Sequence, residues 1–143
     1  LHPTQERGLT YGVEFVTLEE LLSQSDVISI HVALSNKTEQ LIGATELRLM
    51  KETSILINTA RGGVLDQEAL LECLLEKRIA GAGLDVFESE PLPPGHPLIH
   101  LENVVLSPHV GGMAYNGTMR GLEMSVENLE SYAANNPVFV VNK

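Results

Sequence analysis

Cysteine, basic residues and long apolar runs are all scarce in this sequence. Its 143 residues include one cysteine, Cys73, which can form neither an intrachain disulfide nor a thiol cluster for zinc. We therefore expect a reducing, cytoplasmic location and no metal site. The chain has 9 basic residues against 19 acidic ones, a net charge of -10, which would repel nucleic acids and anionic membranes. No apolar run is long enough to span a bilayer, so neither class of partner is expected.

Short apolar runs alternate with helical segments along the chain. Thr17 and Glu20 have the spacing of a capping box, and Asp66 is placed to cap a second helix. Apolar residues three and four apart predict a long amphipathic helix from Tyr115, with its stripe in the core or in a dimer contact. The alternation predicts an α/β fold with a mainly parallel sheet, its buried strands covered on both faces. The predicted strands are residues 11–16, 27–32, 54–58, 79–87 and 104–107.

Three chemically useful side chains follow predicted strands, at the edge where parallel sheets bind ligands. They are Arg61, Glu90 and His109, each shortly after the end of a different strand. A guanidinium offers a planar pair of donors for a carboxylate, and an imidazole beside a carboxylate exchanges protons near neutral pH. Together these groups could hold a 2-keto acid and exchange a proton with its 2-oxygen. Because they supply no hydride, a redox cofactor is required.

Taken one at a time, these residues have ordinary explanations. An arginine or a glutamate in a loop after a strand is usually solvent-exposed, and Glu90 lies in an acidic, proline-rich stretch. His109 has the strongest individual case, since a proline precedes it and two glycines follow it closely, which indicates a rigid backbone near a ligand. The functional hypothesis therefore depends on the combination.

The sequence contains no phosphate-binding glycine loop. Its one G-x-G is Gly81-Ala-Gly83, and Val86 stands where a third glycine would fall. This segment leads into a predicted strand instead of opening a helix, so it is not a pyrophosphate-binding turn. The residues predict reductase chemistry without the loop that would bind the pyrophosphate of the cofactor.

Several motifs in consistent order resemble the D-isomer-specific 2-hydroxyacid dehydrogenase family. The resemblance implies an incomplete Rossmann-like, doubly wound, mainly parallel sheet with flanking helices, and NAD or NADP as cofactor. It also implies a D-2-hydroxy acid or 2-keto acid substrate of the glyoxylate, hydroxypyruvate or phosphoglycerate type, and a homodimer formed through the cofactor domain. The motifs are residues 21–31, residues 51–66 around Asn58-Thr-Ala-Arg61-Gly-Gly, and residues 83–91 together with 107–112.

The resemblance also implies a role for each site residue. Arg61 would bind the substrate carboxylate, His109 would be the acid/base, and Glu90 would be the partner of that histidine. Asp85 would contact the carboxamide of the nicotinamide. The residues expected to contact the cofactor are His31, Thr59, Ala60, Arg61, Asp85, His109, Gly111 and Gly112.

Two parts of the family's architecture have no counterpart in this sequence. They are the first strand–helix–strand unit, which carries the glycine fingerprint, and the substrate domain. We expect residues 1–143 to form a partial dinucleotide-binding domain that is inactive as given. An NAD(H)-sensing binding protein remains the alternative function, because transcriptional corepressors of the same superfamily have a similar arginine, glutamate and histidine set.

Overall fold

A four-stranded parallel sheet organises the chain in the computed structural model, which describes residues 11–113 and 115–140. Each strand pairs in parallel with the next one along the chain. The segments that follow the strands therefore all leave from the same edge of the sheet, and that edge is where ligands bind in such folds. The strands are β1 (Val27–Ile30), β2 (Ile55–Asn58), β3 (Gly81–Leu84) and β4 (Val104–Leu106).

Helices connect and flank these strands, so the predicted α/β, Rossmann-like class is confirmed. Both predicted caps are present. Thr17 Oγ1 accepts from the backbone N–H of Glu20, whose carboxylate accepts in return from the N–H of Thr17, and Asp66 accepts from the N–H of Ala69. The helices are α1 (Leu18–Gln24), α2 (Ala44–Leu47), α3 (Gln67–Leu75) and α4 (Tyr115–Ala133), with 3-10 turns at Gly62–Val64 and Pro97–His100.

The apolar core lies against one face of the sheet. Buried leucines of α1, α2 and α3 pack in one cluster with side chains from the first three strands. Val27 is 57% exposed and its neighbour Ile55 is 42% exposed, so the expected burial of both strand faces is wrong for β1 and β2. Successive residues of a strand point to opposite faces, and among the described residues the helix leucines reach only the face that carries Ile28 and Leu56.

The predicted strand at residues 11–16 is also wrong. Residues 13–17 have no regular secondary structure, and Val13, Phe15 and Val16 are exposed. A strand needs a neighbour to pair its backbone groups, and this segment pairs with no strand in the described part of the chain. The four other predicted strands are confirmed, each with shorter bounds than predicted.

The chain divides into two compact units, Leu1–Pro108 and His109–Lys143. The first contains the sheet and its core, and the second contains α4. Leu122, Val126 and Leu129, all on the predicted apolar stripe of α4, are more than half exposed. The prediction that these three side chains pack in the core is therefore wrong, whereas their role in a dimer contact stays a prediction. Within residues 11–113 and 115–140, no helix combines the length and the apolar composition needed to cross a membrane.

Candidate functional site

The turn after β2 carries Arg61 and is held by the last residue of that strand. Asn58 is fully buried. Its Nδ2 donates to the carbonyl oxygen of Arg61 at 3.0 Å, and its Oδ1 accepts from the backbone N–H of Ala60 at 3.0 Å. The guanidinium of Arg61 is exposed, and its Nη1 donates to the carbonyl oxygen of Ala60 at 2.6 Å. A buried amide thus organises the turn that presents an exposed guanidinium.

A cleft opens at this edge of the sheet, beside Arg61. It has a volume of about 530 Å³ and is lined by the segments after β1 and β2, residues 31–34 and 59–61. The structure therefore brings His31, Thr59, Ala60 and Arg61 to one cleft. A hydrogen bond of 2.9 Å joins His31 Nε2 to the hydroxyl of Ser29. This bond ties the imidazole to the strand that precedes it.

The Arg61 turn packs directly against the loop that carries Glu90. Gly62 lies so close to Phe87 that a Cβ atom at this position would overlap the carbonyl carbon and oxygen of Phe87. Glycine is the one residue that permits this approach. In the same loop, Glu90 Oε1 accepts from the backbone N–H of Phe87 at 3.0 Å. The backbone contact at Gly62 therefore links the segment that presents the guanidinium to the one that presents the carboxylate.

Asp85 is a buried carboxylate immediately after β3. It is 4% exposed, and its Oδ1 accepts a hydrogen bond of 2.6 Å from the hydroxyl of Ser107, which follows β4. Its backbone N–H donates to the carbonyl oxygen of Asn58 at 3.0 Å. The strand on one side therefore holds the backbone of Asp85, and Ser107 on the other side holds its carboxylate.

His109 is the first residue of the second compact unit. It is exposed and has a φ of 55°, in the left-handed region that side-chain-bearing residues rarely occupy. Strained backbone of this kind occurs often at functional sites, where it fixes the direction of a side chain. Gly111 and Gly112 belong to the same unit and are also exposed. The proton-transfer role of His109 stays a prediction.

Several polar residues of this region were not anticipated from the sequence. The side-chain oxygen of Gln67 accepts from the N–H of Glu88, whose carboxylate accepts from the N–H of Gln67. Gln67 Nε2 lies 3.1 Å from Nε2 of His96, the residue just before the 3-10 turn at Pro97–His100. These pairs, like Ser107 with Asp85, join residues 21 to 29 positions apart. No local spacing signal could have identified them.

The residues at this edge fit the nicotinamide end of a dinucleotide. The cleft beside Arg61 can receive a flat ring, and a carboxylate such as that of Asp85 is a hydrogen-bond acceptor suited to the NH₂ group of a carboxamide. Asp85 follows β3, the strand next to β2, so the acceptor and the cleft belong to adjacent strand ends.

Comparison with known proteins decides the family. The family described as "D-isomer specific 2-hydroxyacid dehydrogenase, NAD binding domain" matches residues 2–111. The chain belongs to this family. The cofactor of this NAD-binding domain is accordingly NAD or NADP. The resemblance of the chain to the D-isomer-specific 2-hydroxyacid dehydrogenases, which the motifs predicted, is confirmed.

Named relatives agree with this assignment of the NAD-binding domain. A glyoxylate reductase of Korarchaeum cryptofilum is 54% identical over 121 residues, which cover 85% of this chain and 36% of the relative. The crystal structure of a glyoxylate reductase from Paecilomyes thermophila is 34% identical, with a TM-score of 0.87, covering 98% of this chain and 42% of that one. A D-isomer specific 2-hydroxyacid dehydrogenase from Xanthobacter autotrophicus Py2, solved with NADPH and MES, is 37% identical, with a TM-score of 0.76, covering 85% of this chain and 50% of that one. The chain thus spans half or less of the length of each of these relatives.

Proposed function

We propose that the protein is an NAD(P)-dependent oxidoreductase that transfers a hydride between nicotinamide and a D-2-hydroxy acid or 2-keto acid. The observation that carries this proposal is that Arg61 and Glu90 lie on two segments in direct contact. These segments follow β2 and β3, which are adjacent parallel strands. Relatives named glyoxylate reductase make glyoxylate the first substrate to test. Hydroxypyruvate and phosphorylated hydroxy acids are the other members of the proposed substrate class.

Three side chains carry the substrate chemistry in this proposal. Arg61 binds the substrate carboxylate through two parallel N–H donors, a geometry that fixes the acid in one orientation. His109 gives a proton to the 2-oxygen during reduction and takes it back during oxidation. Glu90 stabilises the protonated imidazole and orients the ring. The hydrogen bond from the N–H of Phe87 to Glu90 supports this role, because it holds the carboxylate in one position.

The nicotinamide would be held by the cleft residues His31, Thr59 and Ala60, by the carboxylate of Asp85, and by the glycine pair that follows His109. When bound, the cofactor supplies or accepts the hydride, which no side chain of this chain can do. The buried hydrogen bond between Ser107 and Asp85 supports the assignment of Asp85, since a fixed acceptor can orient the carboxamide and therefore the ring.

Replacing His109 with asparagine tests the proposal in the protein expressed from its complete natural coding sequence. We expect kcat for glyoxylate to fall about 10²- to 10⁴-fold, the usual contribution of a general acid/base, while the Kd for NADH changes little. His100→Asn is the matched control, because His100 is an exposed histidine in the turn before β4. Normal turnover of His109→Asn would refute the assignment.

Measurements of turnover and of oligomeric state separate the enzyme from a cofactor-sensing binding protein. Turnover on a panel of 2-keto acids supports the enzyme, whereas NADH-dependent oligomerisation without turnover supports the sensor.

The proposal includes a homodimer formed through the cofactor domain and a cytoplasmic location. The exposed apolar side chains Leu122, Val126 and Leu129 on α4 support the dimer, and sedimentation of the protein with and without NADH tests it.

A further inference from the structure

A single buried amide holds the backbone on both sides of the peptide between Ala60 and Arg61. Asn58 Oδ1 accepts from the N–H of Ala60, in the preceding peptide, and Asn58 Nδ2 donates to the carbonyl of Arg61, in the following peptide. Both distances are 3.0 Å, well within the range of good N–H···O hydrogen bonds. With its two neighbours fixed, the peptide between Ala60 and Arg61 has little freedom to rotate.

That peptide in turn orients the guanidinium. The carbonyl oxygen of Ala60 accepts from Arg61 Nη1 at 2.6 Å. An exposed arginine side chain loses considerable rotamer entropy when it is held in one geometry, and a rigid acceptor beside it reduces the freedom that substrate binding must remove. The chain of contacts therefore runs from Asn58, through the Ala60 carbonyl, to the guanidinium.

The residue type at position 58 is unusual for its location. Asparagine is depleted in strands, and Asn58 ends a parallel strand at 0% exposure. Burying an amide costs free energy unless each polar group has a partner. Both ends of this amide are used by the turn that carries Arg61, so the side chain serves that turn as well as the core.

From these contacts we propose that Asn58 is a positioning residue that sets the orientation of Arg61 toward the carboxylate of the substrate. The inference rests on the proposed function, because it assumes that Arg61 binds a carboxylate. Loss of the amide should leave the fold and the reacting groups in place and should mainly weaken recognition of the carboxylate.

The test is the preference of the enzyme for a carboxylate, measured on the protein from its complete natural coding sequence. The probes are glyoxylate and glycolaldehyde, which present a similar carbonyl with and without the carboxylate. In Asn58→Ala we expect KM for glyoxylate to rise more than kcat falls. We also expect the ratio of kcat/KM for glyoxylate to kcat/KM for glycolaldehyde to drop about ten- to a hundredfold, the effect of a misplaced binding group. In an Arg61→Ala background, Asn58→Ala should lower that ratio no further.

Two further variants separate positioning from folding. Ser54→Ala is the matched control, because Ser54 is also fully buried and its hydroxyl donates to the carbonyl oxygen of Lys51 at 2.7 Å. Ser54 lies before the amino end of β2, away from the Arg61 turn. The variant should lower the thermal midpoint and leave the ratio unchanged. Asn58→Asp keeps the acceptor for the Ala60 N–H and removes the donor to the Arg61 carbonyl, so it should shift the ratio in the same direction as Asn58→Ala.

The possible outcomes distinguish the two proposals. If the wild type reduces no 2-keto acid, or if Arg61→Ala leaves the preference for the carboxylate unchanged, the proposed function fails and this inference fails with it. If the preference depends on Arg61 but both Asn58 variants keep it at the wild-type value, only the positioning role is overturned. If neither Asn58 variant folds while Ser54→Ala does, Asn58 is required for folding and the positioning role is overturned as well.

Discussion

The hydroxyl of Ser107 donates a 2.6 Å hydrogen bond to Oδ1 of Asp85 and thereby joins the end of β4 to the end of β3. Because Asp85 is 4% exposed, its carboxylate depends on protein donors in place of water. Neighbouring strands therefore hold the acceptor that the proposed function assigns to the nicotinamide carboxamide.

Ser107→Ala should weaken cofactor binding and lower stability together. Removing one donor from a buried carboxylate costs about 1–3 kcal/mol, which urea unfolding measures, and we expect the Kd for NADH to rise several-fold because the carboxylate is less well oriented. Ser23→Ala serves as the control, since Ser23 is an exposed helical serine on α1. An unchanged Kd in Ser107→Ala would contradict the role given to this pair.

Gly62→Ala should be strongly destabilising. Its Cβ would overlap the backbone of Phe87, which cannot move aside as a flexible side chain could. Overpacking of this kind costs about 3 kcal/mol or more. Gly95→Ala is the matched control, because a Cβ at Gly95 meets nothing within 4 Å. Equal urea midpoints for the two variants would show that the Arg61 turn does not need this close approach.

Cys73 should react slowly with alkylating reagents in the folded protein. It lies in α3 at 4% exposure, and burial raises the pKa of its thiol, with Glu76 adding to the effect and Arg78 opposing it. A raised pKa lowers the fraction of the reactive thiolate at any given pH. At pH 8 we expect iodoacetamide to react at least about tenfold more slowly than with an exposed cysteine, and denaturant should abolish the difference. Rapid labelling of the native protein would disprove the burial.

The capping box of α1 should contribute to stability in a pH-dependent way. Hydrogen bonds from the N–H and the hydroxyl of Thr17 hold the pKa of Glu20 below its ordinary value of 4.5. This contribution is therefore fully present above about pH 4.5 and is lost as the pH falls through the lowered folded-state pKa. Glu20→Gln should be less stable than the wild type at pH 7, and urea unfolding at lower pH should show that gap closing. A gap that stayed constant down to pH 3 would contradict the assignment.

Local sequence patterns identified most of the strands and helices, but not which segments pair or pack with each other. Caps at Thr17 and Asp66 were predictable because capping joins residues three positions apart. The strand predicted at residues 11–16 failed because an apolar run cannot show whether a second strand lies beside it. The expected burial of both sheet faces was wrong at Val27 for a related reason. The periodicity of a helix does not reveal which face of a sheet that helix covers.

The candidate site shows the same division. The sequence was sufficient to predict the alternation of strands and helices and the resemblance that comparison then established as family membership. It was also sufficient to give the order in which the candidate residues follow their strands, namely Arg61, Asp85, Glu90 and His109. The three-dimensional packing was needed to show that the amide of Asn58 holds the Arg61 turn. It was also needed to show that Gly62 lets that turn touch the loop that carries Glu90. These contacts depend on the separation of two backbone segments across the sheet, and folding sets that separation through packing of the whole core.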